Sequence, residues 1–173
     1  GMDGRPIVAR GEAPRLPFTS RWTVDTMSPM QQVFVTYAPE TADARRVADE
    51  VKAAFEGPDT VVAVKPASQS SILDLEPVDL VVFGVGRTDP DVPPEYAELV
   101  RVFQGCNLAG RAAAFFPLGA ARASAGLRRA LKPTEISVLD EEPVAGEKAG
   151  RPDLREWALV VKEFLKGVRD GRR

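Results

Sequence analysis

The sequence of 173 residues contains no histidine and a single cysteine, Cys106. Without histidine, Ser-His-Asp and Cys-His catalysis, imidazole proton shuttles and most transition-metal sites are excluded. Enzymatic chemistry would then come mainly from a bound cofactor, although carboxylates, lysine and tyrosine can also act as acids and bases. One cysteine cannot form an intrachain disulfide and no signal peptide is recognisable, so a cytoplasmic location is expected.

The sequence also lacks an apolar run long enough to span a membrane, and it has no concentrated block of basic residues. Its net charge is −2, with 44% hydrophobic and 28% charged residues, which is typical of one globular domain with a sizeable core. We therefore expect neither a nucleic acid nor a membrane as a partner.

Two groups of reactive side chains are interpreted as having no chemical role. Cys106 has no histidine partner, so an incidental thiol is favoured over a nucleophile. Asp140, Glu141 and Glu142 are consecutive acids that lack the spacing of a metal site, and such runs usually face solvent. The sequence thus predicts no catalytic side chain and no metal ligand.

Residues 1–31 are rich in glycine, proline and arginine and show no helical or strand period, which predicts an N-terminal arm. A flexible tail is one interpretation. The large apolar residues of the arm favour a second, in which it packs on the body of the protein or joins the subunits of a homodimer: Phe18, Trp22, Met27 and Met30. The remaining residues, 32–173, are predicted to form the folded domain.

Strands and helices alternate from Gln32 onward, which predicts an α/β protein with a doubly wound five-stranded parallel sheet. The predicted strands are Val33–Tyr37, Thr60–Val64, Val78–Phe83, Arg111–Phe116 and Glu135–Leu139, of which the first and third are the most continuously apolar. The predicted helices lie between and after them: Ala44–Phe55, Ser70–Leu75, Pro94–Gln104, Ser124–Leu131 with Ser124 as N-cap, and a last helix with Asp153 as N-cap.

The most informative stretch joins the first predicted strand to the first helix. In an open α/β sheet, this arrangement directs a loop and a helix N-terminus towards ligands at the carboxyl edge of the sheet. Anions, and phosphates above all, bind in such positions. The loop offers few hydroxyl groups for this task, since Pro39, Glu40, Ala42 and Ala44 have none.

Three segments of the chain are distinctive: the strand, loop and helix with its Arg-Arg-Val-Ala-Asp-Glu-Val pattern, the strand Val78–Phe83 ending at Gly84, and the strand up to Phe116 followed by Gly119. On these segments the chain resembles a flavodoxin from residue 32 to residue 168. The resemblance implies a flavodoxin-like three-layer sandwich that binds FMN and transfers electrons, with a redox partner protein.

The resemblance also implies which residues bind the cofactor. The FMN phosphate would be held by the first loop: Glu40, Thr41, Ala42, Asp43 and Ala44. The isoalloxazine ring would be held by the loops after the third and fourth strands: Gly84, Val85, Gly86, Arg87 and Thr88, together with Leu118, Gly119 and Ala120.

These loops depart from the flavodoxin pattern in their chemistry. Only Thr41 keeps a hydroxyl, Pro39 removes one N–H donor, and neither ring loop contains an aromatic residue. A carboxylate within about 5 Å of a phosphate weakens phosphate binding by on the order of a few kcal/mol, because the two negative charges repel. The helix N-terminus strengthens phosphate binding by only about 0.3–1 kcal/mol. The orientation of Glu40 and Asp43 therefore decides whether a phosphate can bind.

Two alternatives to FMN binding follow from the departures. The chain is either a flavodoxin-fold module that has lost FMN and acts through protein–protein contact, or a domain that binds another small anionic ligand at the same edge. Fold alone does not decide among these functions.

Overall fold

A computed structural model describes residues 30–86, 92–118, 124–143 and 154–171. The chain divides into two units, residues 1–30 and residues 31–173. Residues 1–29 of the predicted arm lie outside the described residues. Gln31 was predicted to belong to the arm, but it is the first residue of a strand.

The five strands form one parallel sheet, as predicted, and their order is β2-β1-β3-β4-β5. Their bounds are β1 Gln31–Ala38, β2 Thr60–Pro66, β3 Leu80–Val85, β4 Ala112–Pro117 and β5 Ser137–Val138. β5 is shorter than predicted because Glu135 adopts a left-handed conformation, with φ 64°, at the end of the 3₁₀ turn Lys132–Thr134. β3 lies at the centre and is buried along its whole length.

The helices are α1 Ala42–Phe55, α2 Ile72–Leu75, α3 Ala97–Phe103, α4 Ala125–Leu131 and α5 Leu154–Gly171. Ser124 lies at the N-cap position of α4, as predicted, and its carbonyl accepts the Arg128 N–H at 2.9 Å, but its hydroxyl makes no capping hydrogen bond. Asp153, the other predicted N-cap, lies outside the described residues. None of the described helices is long and apolar enough to cross a lipid bilayer.

Side chains alternate between the two faces of the sheet and build two cores. Val33, Val35 and Tyr37 of β1 pack with α1 and α5 on one face. Phe34 of β1 packs on the other face with buried side chains of α2, α3 and α4. The predicted three-layer sandwich is therefore present, and it places the loops after β1, β3 and β4 side by side.

Candidate functional site

The loops predicted to bind a cofactor meet at the carboxyl edge of the sheet. Ala38, at the end of β1, pairs with Val85 of β3, which pairs in turn with Pro117 of β4. Backbone hydrogen bonds extend this pairing beyond the strands, from Gly86 N to the Ala38 carbonyl at 2.8 Å and from Leu118 N to the Val85 carbonyl at 3.0 Å.

The first turn of α1 presents backbone donors at this edge. Thr41 is its N-cap, and its Oγ1 accepts the Ala44 N–H at 3.0 Å. Within the described ranges, no group accepts a hydrogen bond from the N–H of Ala42 or Asp43. Both residues are exposed, so these N–H groups and the Thr41 hydroxyl hydrogen remain open to a ligand.

Glu40 does not occupy the position in front of the helix. Its carboxylate accepts hydrogen bonds from Ser68 N at 2.6 Å and from Ser68 Oγ at 2.9 Å. Ser68 belongs to the 3₁₀ turn Ala67–Gln69, which follows β2. The charge of Glu40 is therefore held against the neighbouring connection by two donors, and the α1 N-terminus stays open.

Asp43 also points away from the helix N-terminus. It forms an ion pair with Arg46 one turn further along α1, and its side chain is 72% exposed. Arg45 pairs with Asp49 in the same way, at 3.2 Å. Exposed pairs of this kind contribute little to stability, but they direct each carboxylate towards solvent and a cation.

A cluster of polar side chains links the carboxyl ends of β1, β2 and β3. Thr36 Oγ1 lies 3.0 Å from Ser70 Oγ, which donates to the Pro66 carbonyl at 3.0 Å. The Tyr96 hydroxyl donates to the Gly84 carbonyl at 2.8 Å. Burial raises the pKa of Tyr96 well above its ordinary value, so the phenol keeps its proton and remains a donor.

Two glycines at the end of β3 allow the loops to pack closely. A Cβ at Gly84 would overlap the Phe116 ring, and a Cβ at Gly86 would lie 2.5 Å from Pro39 Cδ. Val85 is buried and Leu118 is half-buried, and neither offers an aromatic face. The remaining residues predicted to bind the ring lie outside the described residues: Arg87, Thr88, Gly119 and Ala120.

Arg128 of α4 links the start of its own helix to the segment that follows β5. Its guanidinium donates to Ser124 Oγ at 2.9 Å, to the Leu139 carbonyl at 3.0 Å and to Glu142 Oε2 at 2.9 Å, and it lies 4.5 Å from the centre of the Phe115 ring. The Ser124 hydroxyl donates to the same Glu142 oxygen at 2.6 Å. Arg128 therefore joins α4 to the segment after β5 and has its charge already neutralised.

The geometry fits the phosphate end of FMN better than its ring. Open N–H groups, a hydroxyl and a positive helix end match a phosphate. The described parts of the ring loops supply only backbone and aliphatic groups.

The sequence did not indicate a role at the site for Ser68, Ser70 or Tyr96. The run of serines after β2 could have indicated hydroxyl groups near the site. Tyr96 fits the apolar spacing of its predicted helix, so nothing in the sequence marks its hydroxyl as a donor.

Thr41→Ala is expected to lower the free energy of unfolding by about 0.5–2 kcal/mol, because the Ala44 N–H loses its acceptor. Thr41→Ser keeps the oxygen and should retain most of that stability. Urea unfolding measures both variants. Equal losses for alanine and serine would show that the cap does not stabilise α1.

Comparison with solved structures finds the same fold in flavodoxins. A short-chain flavodoxin associated with a PDU bacterial microcompartment is 18% identical, with a TM-score of 0.63, covering 79% of this chain and 99% of that one. The flavodoxin of Streptococcus pneumoniae TIGR4 is 16% identical, with a TM-score of 0.62 and coverage of 76% and 99%. Flavodoxin 2 of Bacillus cereus is 16% identical, with a TM-score of 0.63 and coverage of 77% and 99%.

No protein-family model matches the chain, and no curated protein sequence does. The structural likeness therefore shows the fold, which is flavodoxin-like.

Proposed function

We propose that this protein binds FMN at the carboxyl edge of the sheet, with the phosphate at the N-terminus of α1, and that it transfers electrons. The observation that supports this most strongly is the orientation of Glu40 and Asp43, which leaves the Ala42 and Asp43 N–H groups open. One structural neighbour, a flavodoxin of Fusobacterium nucleatum, was solved bound to flavin mononucleotide, at 10% identity.

Each residue of the first loop has a defined task in this proposal. The Thr41 oxygen accepts the Ala44 N–H while its hydrogen points to the phosphate. The N–H groups of Ala42 and Asp43 donate to the phosphate oxygens, and the positive end of the helix favours their charge. Ser68 holds the Glu40 carboxylate aside. Bound FMN would supply the redox chemistry that the side chains lack.

A flavin titration tests the proposal directly. Because the ring loops lack aromatic residues, the phosphate should carry most of the affinity. Quenching of flavin fluorescence should therefore show FMN binding at least about 10-fold more tightly than riboflavin, which has no phosphate. Equal affinities would place the binding energy in the ring, and no binding of either flavin would reject the function.

The second candidate is a module that works by protein–protein contact without FMN. It is favoured by the contact of Pro39 with Gly86 at the mouth of the ring site and by the lack of aromatic residues there. The same titration separates the two candidates, because this module would leave the fluorescence of added FMN unchanged.

Glu40→Gln is expected to tighten FMN binding by about 2- to 5-fold, since it removes a negative charge near the phosphate and the site is exposed and screened. Ser68→Ala should weaken binding, because the Glu40 carboxylate loses its hydroxyl donor and moves more freely. Glu163→Gln, on the exposed face of α5, makes the same charge change far along the chain and serves as the control. If Glu40→Gln and Glu163→Gln change the affinity equally, Glu40 does not influence the ligand.

A further inference from the structure

Thr36 places a hydroxyl group inside the sheet. The residue lies in β1 and is fully buried, on the face where Phe34 and Ala38 pack into the apolar core. Valine would fill nearly the same volume without a polar atom, and a buried hydroxyl is unfavourable unless it is hydrogen-bonded. The position therefore favours threonine only through the hydrogen bonds that its hydroxyl makes.

The hydroxyl of Thr36 begins a short chain of hydrogen bonds. Its Oγ1 lies 3.0 Å from Ser70 Oγ, and Ser70 Oγ donates its own hydrogen to the Pro66 carbonyl at 3.0 Å. Since a serine hydroxyl has one hydrogen, Thr36 is the donor of the bond between the two side chains. The chain of bonds thus runs from the interior of β1 to the end of β2.

Ser70 closes the 3₁₀ turn after β2, which holds Glu40. The Ser70 N–H donates to the Ala67 carbonyl at 3.1 Å, and its hydroxyl donates to the Pro66 carbonyl, so Ser70 is bonded to both residues at the start of the turn. Ser68 lies between them, and its N–H and hydroxyl both donate to the Glu40 carboxylate. A shift of Ser70 would therefore move the two donors that hold Glu40.

We propose that Thr36 is a positioning residue for the phosphate site. Its hydroxyl holds Ser70 in place, and the turn that Ser70 closes then keeps Glu40 away from the N-terminus of α1. Without the Thr36 hydroxyl the turn is free to shift, and the Glu40 carboxylate can approach the open N–H groups of α1. Its charge then repels the phosphate that these groups would bind. The inference rests on the proposed function, since it concerns the same phosphate.

Thr36→Val tests the proposal through the affinity for FMN. The variant should bind FMN about 2- to 5-fold more weakly, the size expected for an exposed and screened charge, and should bind riboflavin unchanged, because riboflavin has no phosphate. Thr36→Ser keeps the hydroxyl and should bind FMN as the wild type does. Thr134→Val is the matched control. It removes another fully buried threonine hydroxyl, which lies in the turn before β5 and donates to the Leu131 carbonyl at 2.6 Å, and it should leave the affinity unchanged.

Double variants show whether Thr36 acts through Ser70 and Glu40. In the Glu40→Gln background, Thr36→Val should not change the FMN affinity, because no charge is left to approach the phosphate. Ser70→Ala should weaken FMN binding as Thr36→Val does, and combining the two should weaken it no further, since the two hydroxyls act as one unit. An equal loss of FMN and riboflavin binding would place the effect on the ring side, where Thr36 also contacts the Tyr96 hydroxyl, and would overturn the proposal.

The NMR signal of the Ser68 amide proton reports the position of Glu40 without any ligand. This proton is donated to a carboxylate, with 2.6 Å between nitrogen and oxygen, so its signal lies downfield and should move upfield in Glu40→Gln. Thr36→Val should move the signal in the same direction, and Thr134→Val should leave it in place. A wild-type chain that binds no FMN overturns both the proposed function and this inference. A wild type that binds FMN, with Thr36→Val unchanged in affinity or in the Ser68 signal, overturns the inference alone.

Discussion

Phe83→Ala is expected to lower the free energy of unfolding by about 3–5 kcal/mol, the usual cost of removing a buried aromatic side chain. Phe83 lies in the central strand β3 and is fully buried. Its ring stacks on Phe115 at 5.3 Å between centroids and meets the edge of Tyr96 at 5.8 Å. Truncation therefore leaves a cavity and removes two aromatic contacts from one core.

Leu159→Ala is the matched control for this loss. Leu159 is a large apolar residue of α5 that is 66% exposed, so its truncation should change stability by no more than about 0.5 kcal/mol. Urea unfolding of both variants, with equal m-values, gives the comparison. A loss at Phe83 no larger than at Leu159 would contradict the position of Phe83 at the centre of the core.

The sequence predicts the sheet well because burial leaves a strong periodic signal. β3 and β4 are continuous apolar runs, and β1 is apolar from Val33 to Ala38 except at Thr36, because these strands are covered on both faces. The apolar stripe of α5 predicts six buried residues, of which five are buried in the core and Phe164 is half-buried against it: Leu154, Trp157, Ala158, Val161, Phe164 and Leu165. The flanking strand β5 is the least accurate, because only two residues pair and a left-handed residue precedes it.

The candidate site is harder to predict because its chemistry depends on contacts between distant residues. The direction of Glu40 is set by Ser68, 28 positions away in the sequence. The Ser124 hydroxyl makes no capping bond because it donates to Glu142, 18 positions away, and accepts from Arg128. Backbone donors such as the Ala42 N–H leave no side-chain signature, so the loop appears poorer in donors than it is.

Ala42 offers a way to remove one of these donors without disturbing the helix. It is the first residue of α1, where proline is well tolerated because the N–H has no partner within the helix. Thr41 before it is extended, with φ −99° and ψ 163°, a conformation that a following proline allows. Ala42→Pro should therefore fold with nearly unchanged stability and lose the Ala42 N–H.

The affinity of Ala42→Pro for FMN tests the position of the phosphate most directly. Loss of a hydrogen bond to a charged group costs about 1.5–3 kcal/mol, so FMN binding should weaken by about 10- to 100-fold. Ala42→Ser, which keeps the N–H, should bind FMN as the wild type does, and riboflavin should bind all three proteins equally. If Ala42→Pro binds FMN as tightly as Ala42→Ser, the phosphate does not lie at the N-terminus of α1.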